Sequence, residues 1–181
     1  VAPHLTRADG TAERVFDAAL ERREAWPKAL RHRTTVADGP VCADFVLGAV
    51  MAIRLAAFRA VGGFDEDLFL YYEDDDLCRR LRAAGHSLIV DPAARCRHLS
   101  GASSGDGAGV STFKEAAITR SRLVYTAKTQ GPEAAVARAR AILRHARSRL
   151  FWYRLVGRRD RAALLTARID AAAAFLEKQT P

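Results

Sequence analysis

Four consecutive acids, Glu73-Asp74-Asp75-Asp76, run directly into Leu77-Cys78-Arg79-Arg80-Leu81 and constrain this chain more than any other stretch. Adjacent carboxylates repel one another and are costly to bury, so they must be solvated, paired with cations or used chemically. Leu77, Leu81 and Ala84 recur at helical spacing, and Gly85 stands where a helix end is expected. The acids therefore fall at the start of a helix over Asp76 to Ala84, where exposed N–H groups and the helix dipole favour negative charge by roughly 0.3 to 1 kcal/mol each. If the first turn opens near Asp74, the i,i+4 spacing predicts that Asp75 faces Arg79 and Asp76 faces Arg80. Glu73 and Asp74 have no such partner, which leaves them to face a substrate.

The rest of the chain is ordinary enough to fold around this element. Its 181 residues are 49% hydrophobic, sufficient for one domain or a small domain with a helical appendage. The longest clean apolar run, Phe45 to Ile53, is of buried-strand length and far short of a membrane span. The chain starts at Val1 without a signal-peptide pattern, which reads as a processed product or an excised piece, with the cytoplasm as the expected compartment. Cys42, Cys78 and Cys96 are odd in number and widely spaced, so they read as buried, reduced thiols. The net charge of +8 has one address: eight arginines and no acid lie between Ala134 and Arg159.

Local signals divide the chain further. The Asp9-Gly10 turn and Thr11 as a cap predict a helix from Thr11 to about Arg23, with a surface loop over Leu30 to Pro40. Val41 to Phe45 and Ala49 to Ile53 read as two buried strands separated at Gly48, followed by a short helix over Leu55 to Val61 that Gly62-Gly63 ends. Phe64 to Tyr72 reads as extended or irregular. Ser87 to Val90 and Ala94 to Leu99 read as strands around Asp91-Pro92. A Gly/Ser loop over Gly101 to Gly109 separates a first domain, residues 1–110, from an all-helical tail, residues 111–181, with helices near 112–129, 133–156 and 160–178.

Several of these pieces occur together in order. Gly48-Ala-Val-Met-Ala-Ile-Arg54, Val61-Gly-Gly-Phe-Asp-Glu66, Phe69-Leu-Tyr-Tyr-Glu-Asp-Asp-Asp-Leu-Cys-Arg79, Ala84-Gly-His86 and His98-Leu-Ser-Gly-Ala-Ser103 closely resemble the second half of family 2 inverting glycosyltransferases, especially the rhamnosyltransferase-like branch. The resemblance covers about Val1 to Gly109. It implies an α/β fold: the C-terminal, acceptor-side part of a GT-A, Rossmann-like catalytic domain, followed here by the helical tail. It further implies transfer of a sugar from a nucleotide-sugar donor to a glycan or lipid-linked acceptor, with Asp74 as general base and Glu73 in support. Gly48, Tyr72 and Asp76 are the implied acceptor-binding residues. His98 matches a histidine that joins a Mg2+ or Mn2+ ion on the donor diphosphate, an ion bound mainly through the family's first half. That half, with its Asp-x-Asp pair, has no counterpart here; Asp65-Glu-Asp67 has the spelling but belongs to the Gly-Gly-Phe-Asp-Glu motif. The expectation is thus a transferase that is inactive as this piece alone.

The arginine segment leaves two readings open. Arg140, Arg144, Arg147, Arg154 and Arg158 fall on one helical stripe with Phe151, while Ile142, Trp152, Tyr153 and Val156 lie roughly opposite. Such a helix either rests on an anionic membrane surface, here the inner face of the plasma membrane, or presents a solvated face while packing on the catalytic domain. No nucleic-acid motif accompanies the arginines, so nucleic acid is not an expected partner. The alternative function, from a different class, is a non-catalytic scaffold module that uses this helix to hold membrane or nucleic acid.

Overall fold

A computed structural model describes residues 1–13, 15–17, 38–99 and 108–179. The chain divides into two compact units. The first comprises Val1–Asp65 with Glu73–Ser103, and the second comprises Glu66–Tyr72 with Ser104–Pro181.

The first unit is built on a four-stranded sheet. Strands β1 (Ala2–Thr6), β2 (Ala12–Glu13), β4 (Val41–Ala43) and β6 (Leu88–Arg97) lie in the order β2-β1-β6-β4. β1 and β6 run parallel, and the two outer pairings are antiparallel. A second, two-stranded ribbon pairs β3 (Phe16–Asp17) with β5 (Phe45–Val46). Two helices complete the unit, α1 (Leu55–Ala60) and α2 (Glu73–Ala83). Leu77, Cys78 and Leu81 share one face of α2 and are buried with Leu5, Val46, Leu88 and Val90 in one apolar core. Each large aliphatic side chain removed from water there stabilises the fold by about 1.5–3 kcal/mol.

Three local expectations are corrected. Thr11 does not cap a helix: its N–H and hydroxyl both donate to Asp9 at 2.9 and 2.7 Å, closing a turn that sends Ala12–Glu13 back along β1. Residues 14 and 18–37, which hold the rest of that expected helix and most of the expected loop, lie outside the described residues. Ala49 to Ile53 forms no strand; a turn at 48–50 leads into an extended segment whose Ala52 N–H donates to the Val1 carbonyl at 2.8 Å. The two strands expected around Asp91-Pro92 are one strand, β6, with an irregularity between the pairs Pro3↔Asp91 and His4↔Arg95. Proline supplies no N–H to a ladder, and the Asp91 carboxylate takes up the Ala93 N–H at 3.0 Å, so the strand bulges there and continues.

The second unit contains α3 (Ala108–Gln130), α4 (Pro132–Leu155) and α5 (Arg159–Glu177). The single residue Gly131 separates the first two, and Pro132 opens α4 where a missing N–H costs nothing. Alanines at 135, 139 and 172 are fully buried against Leu123 and Phe175, so the three helices meet along small side chains. Segment 66–72 belongs to this unit. Leu68 is buried, the Leu70 carbonyl accepts the Ser121 hydroxyl at 2.8 Å, and the Tyr72 and Tyr125 rings lie 5.5 Å apart. Residues 101–107 of the Gly/Ser loop lie outside the described residues, and α3 opens at Ala108, four residues ahead of the expected start.

The cysteines differ in environment. Cys78 is buried beneath α2 with its thiol toward the Val46 carbonyl at 3.6 Å, and burial pushes its pKa up to about 11. Cys42 is exposed, against the expectation of three buried thiols. A thiol-reactive chromophore should therefore label Cys42 in the native protein and leave Cys78 unmodified until denaturant unfolds the first unit. Equal labelling rates of the two under native conditions would contradict this core.

Candidate functional site

Helix α2 begins at Glu73, so all four acids occupy its first turn, where the unpaired backbone N–H groups point. Three of them differ sharply in environment. Asp76 is 1% exposed and accepts from Arg80 Nε at 2.7 Å and Arg79 Nη2 at 3.1 Å. The expected pairing of Asp75 with Arg79 is thereby replaced: at i,i+3 the guanidinium reaches the buried carboxylate, which offers a less screened partner than the half-buried Asp75. Arg80 also donates from Nη1 to the Val61 carbonyl at 2.5 Å, tying α2 to the end of α1. Gly62 and Gly63 leave that end in left-handed conformation, φ 84° and 70°, so the chain can turn there without a Cβ clash. The Asp76 carboxylate is thus engaged within the protein; its contribution to the site is support.

Asp74 is the acid that faces another segment of the chain. Its Oδ2 accepts the Gly48 N–H at 2.9 Å, and its Oδ1 accepts the Asp75 N–H at 2.9 Å. Gly48 is needed here for closeness: a Cβ at that position would stand 3.0 Å from the Asp74 Cβ and 3.2 Å from Oδ2. The turn that follows β5 therefore reaches the carboxylate only because residue 48 has no side chain. Both carboxylate oxygens are fixed by backbone donors, yet each retains a lone pair for one more hydrogen.

Glu73 lies beside it in a different state. Its Oε2 is buried with no hydrogen-bond partner among the described residues. Desolvation raises its pKa, and the neighbouring Asp74 charge adds to the rise, against a smaller lowering by a backbone hydrogen bond. Arg79 Nε and Arg80 Nη2 are likewise buried without partners, so the polar layer under the acids carries donors not used within the described protein, the kind that hold ordered water.

The sheet assembles a second cluster. His98 follows β6 directly and continues its pairing, donating its N–H to the Thr6 carbonyl at 2.9 Å. Its Nδ1 lies 2.7 Å from Glu13 Oε2 on β2, two strands away in the sheet. A carboxylate on one ring nitrogen is how metal-binding histidines are commonly oriented, with the other nitrogen as ligand, so His98 fits a metal ligand. Among the described residues no three ligating side chains converge. Glu13 carries no sequence signal for this role, because its partner lies 85 residues away.

The other expected residues lie in the second unit. Tyr72 and the preceding Tyr71 both have positive φ, 69° and 66°, a conformation costing of order 1 kcal/mol or more in each non-glycine residue. Nothing in the two tyrosines announces it, and the contacts of Leu70 and Tyr72 with α3 hold them there. Arg140, Arg144, Arg147, Arg154 and Arg158 are all exposed. The same unit carries a cavity of about 690 Å³ between α3 and α5, walled by Phe69, Val124 and Phe175 with Arg120, Lys128 and Lys178 on its lining.

The state of Glu73 has a thermodynamic signature. A carboxyl whose folded pKa is raised binds its proton more tightly in the native state, so stability falls as pH rises through the interval above its ordinary 4.5. The wild type should therefore gain stability relative to Glu73→Gln as pH is lowered from neutral toward 4.5. A stability difference that stays flat across that range in denaturant titrations would contradict a desolvated Glu73.

The chain has recognisable relatives. A family profile described as "Glycosyltransferase like family 2" matches residues 13–150. The N-acetylglucosaminyl-diphospho-decaprenol L-rhamnosyltransferase of Mycobacterium tuberculosis is 38% identical over 84 residues, which is 46% of this chain and 27% of that protein. Rhamnosyltransferase WbbL of Escherichia coli K12 is 44% identical over 57 residues, 32% of this chain and 22% of the relative. The matched stretches thus span only about a quarter of each relative's length. No solved structure shows significant similarity to the chain. With the profile covering most of the chain and every residue around Asp74, this protein belongs to the family 2 glycosyltransferases, on their rhamnosyltransferase-like side.

Proposed function

We propose that the protein carries the acceptor and general-base side of an inverting sugar transferase that moves a rhamnose-like sugar from a nucleotide-sugar donor to a lipid-linked acceptor at the cytoplasmic face of a membrane. The observation that carries this reading is the Asp74 carboxylate, held by two backbone N–H groups at the head of α2 and approached by a glycine turn. In the reaction the acceptor hydroxyl gives its proton to Asp74 as its oxygen bonds to the anomeric carbon from the face opposite the leaving group. The bond between that carbon and the diphosphate oxygen breaks in the same displacement. The nucleoside diphosphate leaves with the electron pair, and the configuration inverts.

Glu73, whose pKa desolvation raises, lies beside Asp74 and helps position the acceptor. Asp76 and Arg80 keep the first turn of α2 in place beneath them. A divalent cation, Mg2+ or Mn2+, would supply charge neutralisation to the leaving diphosphate. His98, oriented by Glu13, is the residue assigned to hold it, and the donor-side aspartate pair is assigned to sequence beyond these residues. The relatives' names support the acceptor class, since one of them acts on an N-acetylglucosaminyl-diphospho-decaprenol. The cavity of the second unit is chemically compatible with such an acceptor, having an apolar wall and basic side chains on its lining. Nothing in the comparisons favours the non-catalytic scaffold reading.

Two measurements on the complete enzyme test this. The product should carry the anomeric configuration opposite to that of the donor, read by NMR coupling; retention would exclude a single displacement with Asp74 as base. Gly48→Ala should lower kcat by about tenfold or more, because the new Cβ displaces the carboxylate. Its thermal midpoint should stay close to that of the wild type, and unchanged turnover would mean that the Asp74 position does not matter.

A further inference from the structure

Helix α4 is packed over only part of its length. Ala135, Ala139 and Ala146 are buried, with Ile142 and Leu143 packed beside them, and this face closes on α3 and α5. From residue 147 to residue 164, across the end of α4, the Gly157 turn and the start of α5, no residue is buried. Yet this hairpin tip carries Phe151, Trp152, Leu155 and Val156, which are 66%, 62%, 66% and 60% exposed. At 3.6 residues per turn these four share one side of the helix, spanning about 140°, and that side points away from the packed alanines. The expected division of this helix is corrected accordingly. Ile142 and Tyr153 turn toward the bundle and are partly covered, whereas Trp152 and Val156 face solvent.

Arginines frame the apolar side. Arg147 and Arg154 border it along one edge, Arg158 follows it in the turn, and Arg159 and Arg161 lie in the first turn of α5. None of these five forms an ion pair with a carboxylate among the described residues. Arg149, by contrast, donates to the Tyr153 hydroxyl at 2.7 Å and is occupied there. Four large apolar groups facing water on a rigid helix end are unfavourable without a cover, and the cations around them specify a cover that is apolar inside and negative at its edge.

We propose that this tip is a membrane wedge: Phe151, Trp152, Leu155 and Val156 enter the acyl boundary of an anionic bilayer while Arg147, Arg154, Arg158 and Arg159 engage its lipid phosphates. The contact is end-on through the hairpin tip rather than side-on along the whole arginine stripe, so Arg140 and Arg144, on the packed stretch of α4, contribute little. The wedge deepens the proposed function by placing a lipid-linked acceptor and the protein on one surface. Its test needs no sugar, so absent transfer and absent binding are separate results.

The experiment is co-sedimentation of the protein with vesicles of phosphatidylcholine alone and of phosphatidylcholine mixed with phosphatidylglycerol. Binding should require the anionic lipid and weaken with salt. Replacing Phe151, Trp152 and Leu155 together by Ser should weaken it on the order of a hundredfold while circular dichroism and thermal midpoint hold, since none of the three is buried. Neutralising Arg147, Arg154 and Arg158 to Gln should cost roughly fivefold per arginine. The same change at Arg140 and Arg144 should cost less than about threefold in all. In the intact protein, brominated lipids should quench a fluorescence component that Trp152→Phe removes. The proposal is overturned if the protein does not bind anionic vesicles, if the serine variant binds like the wild type, or if Arg140 and Arg144 matter as much as the tip arginines. Conversion by the serine variant of a dimer to a monomer, with vesicle binding unchanged, would assign the patch to a second copy of the chain instead.

Discussion

The buried carboxylate of Asp76 is the interaction on which the site depends. It collects Arg79 and Arg80 from its own helix, and Arg80 reaches on to the Val61 carbonyl, so one acid locks the first turn of α2 to the end of α1. Such a pair adds little stability over a well-packed apolar substitute, but removing one partner leaves a buried charge uncompensated, at a cost of about 3–5 kcal/mol. What it gives the protein is position. With Asp76 paired on one side of α2, Asp74 is left on the other, the side of Leu77, Cys78 and Leu81, where Gly48 meets it.

Three of the four acids therefore differ by burial and partners. Asp76 is paired and sealed, and Asp74 is bound by two backbone donors with capacity to spare. Glu73 keeps an unsatisfied buried oxygen, and desolvation shifts it toward the protonated form. A run that looks uniform in the sequence meets three different environments, because a helical first turn aims consecutive side chains in different directions.

Much of this was legible from the residues, and the failures have physical causes. Leu77, Leu81 and Gly85 announced α2; Gly62-Gly63, Gly131-Pro132 and Gly157 marked breaks where the structure has them. These are local signals, carried by helical spacing and by residues with restricted or unrestricted φ. The beginning of the chain was misread because Thr11 can serve a helix cap or an Asp9 turn equally well, and the choice is made by the pairing of Ala12–Glu13 with β1. Long-range partners gave no warning: Glu13 with His98, Gly48 with Asp74, and the strained pair Tyr71-Tyr72 all follow from tertiary packing. The arginine stripe was visible as a periodicity, but burial alone revealed that α4 outruns its bundle and exposes its aromatic end.

The central claim is that Asp74 takes the acceptor's proton, and single-turnover kinetics of Asp74→Asn in the complete enzyme test it most directly. Asparagine keeps the shape and an oxygen to accept the Gly48 N–H but gives up the proton acceptor. The account predicts loss of transfer by at least about two orders of magnitude, with donor affinity and thermal midpoint unchanged. Near-normal turnover by that variant would contradict it.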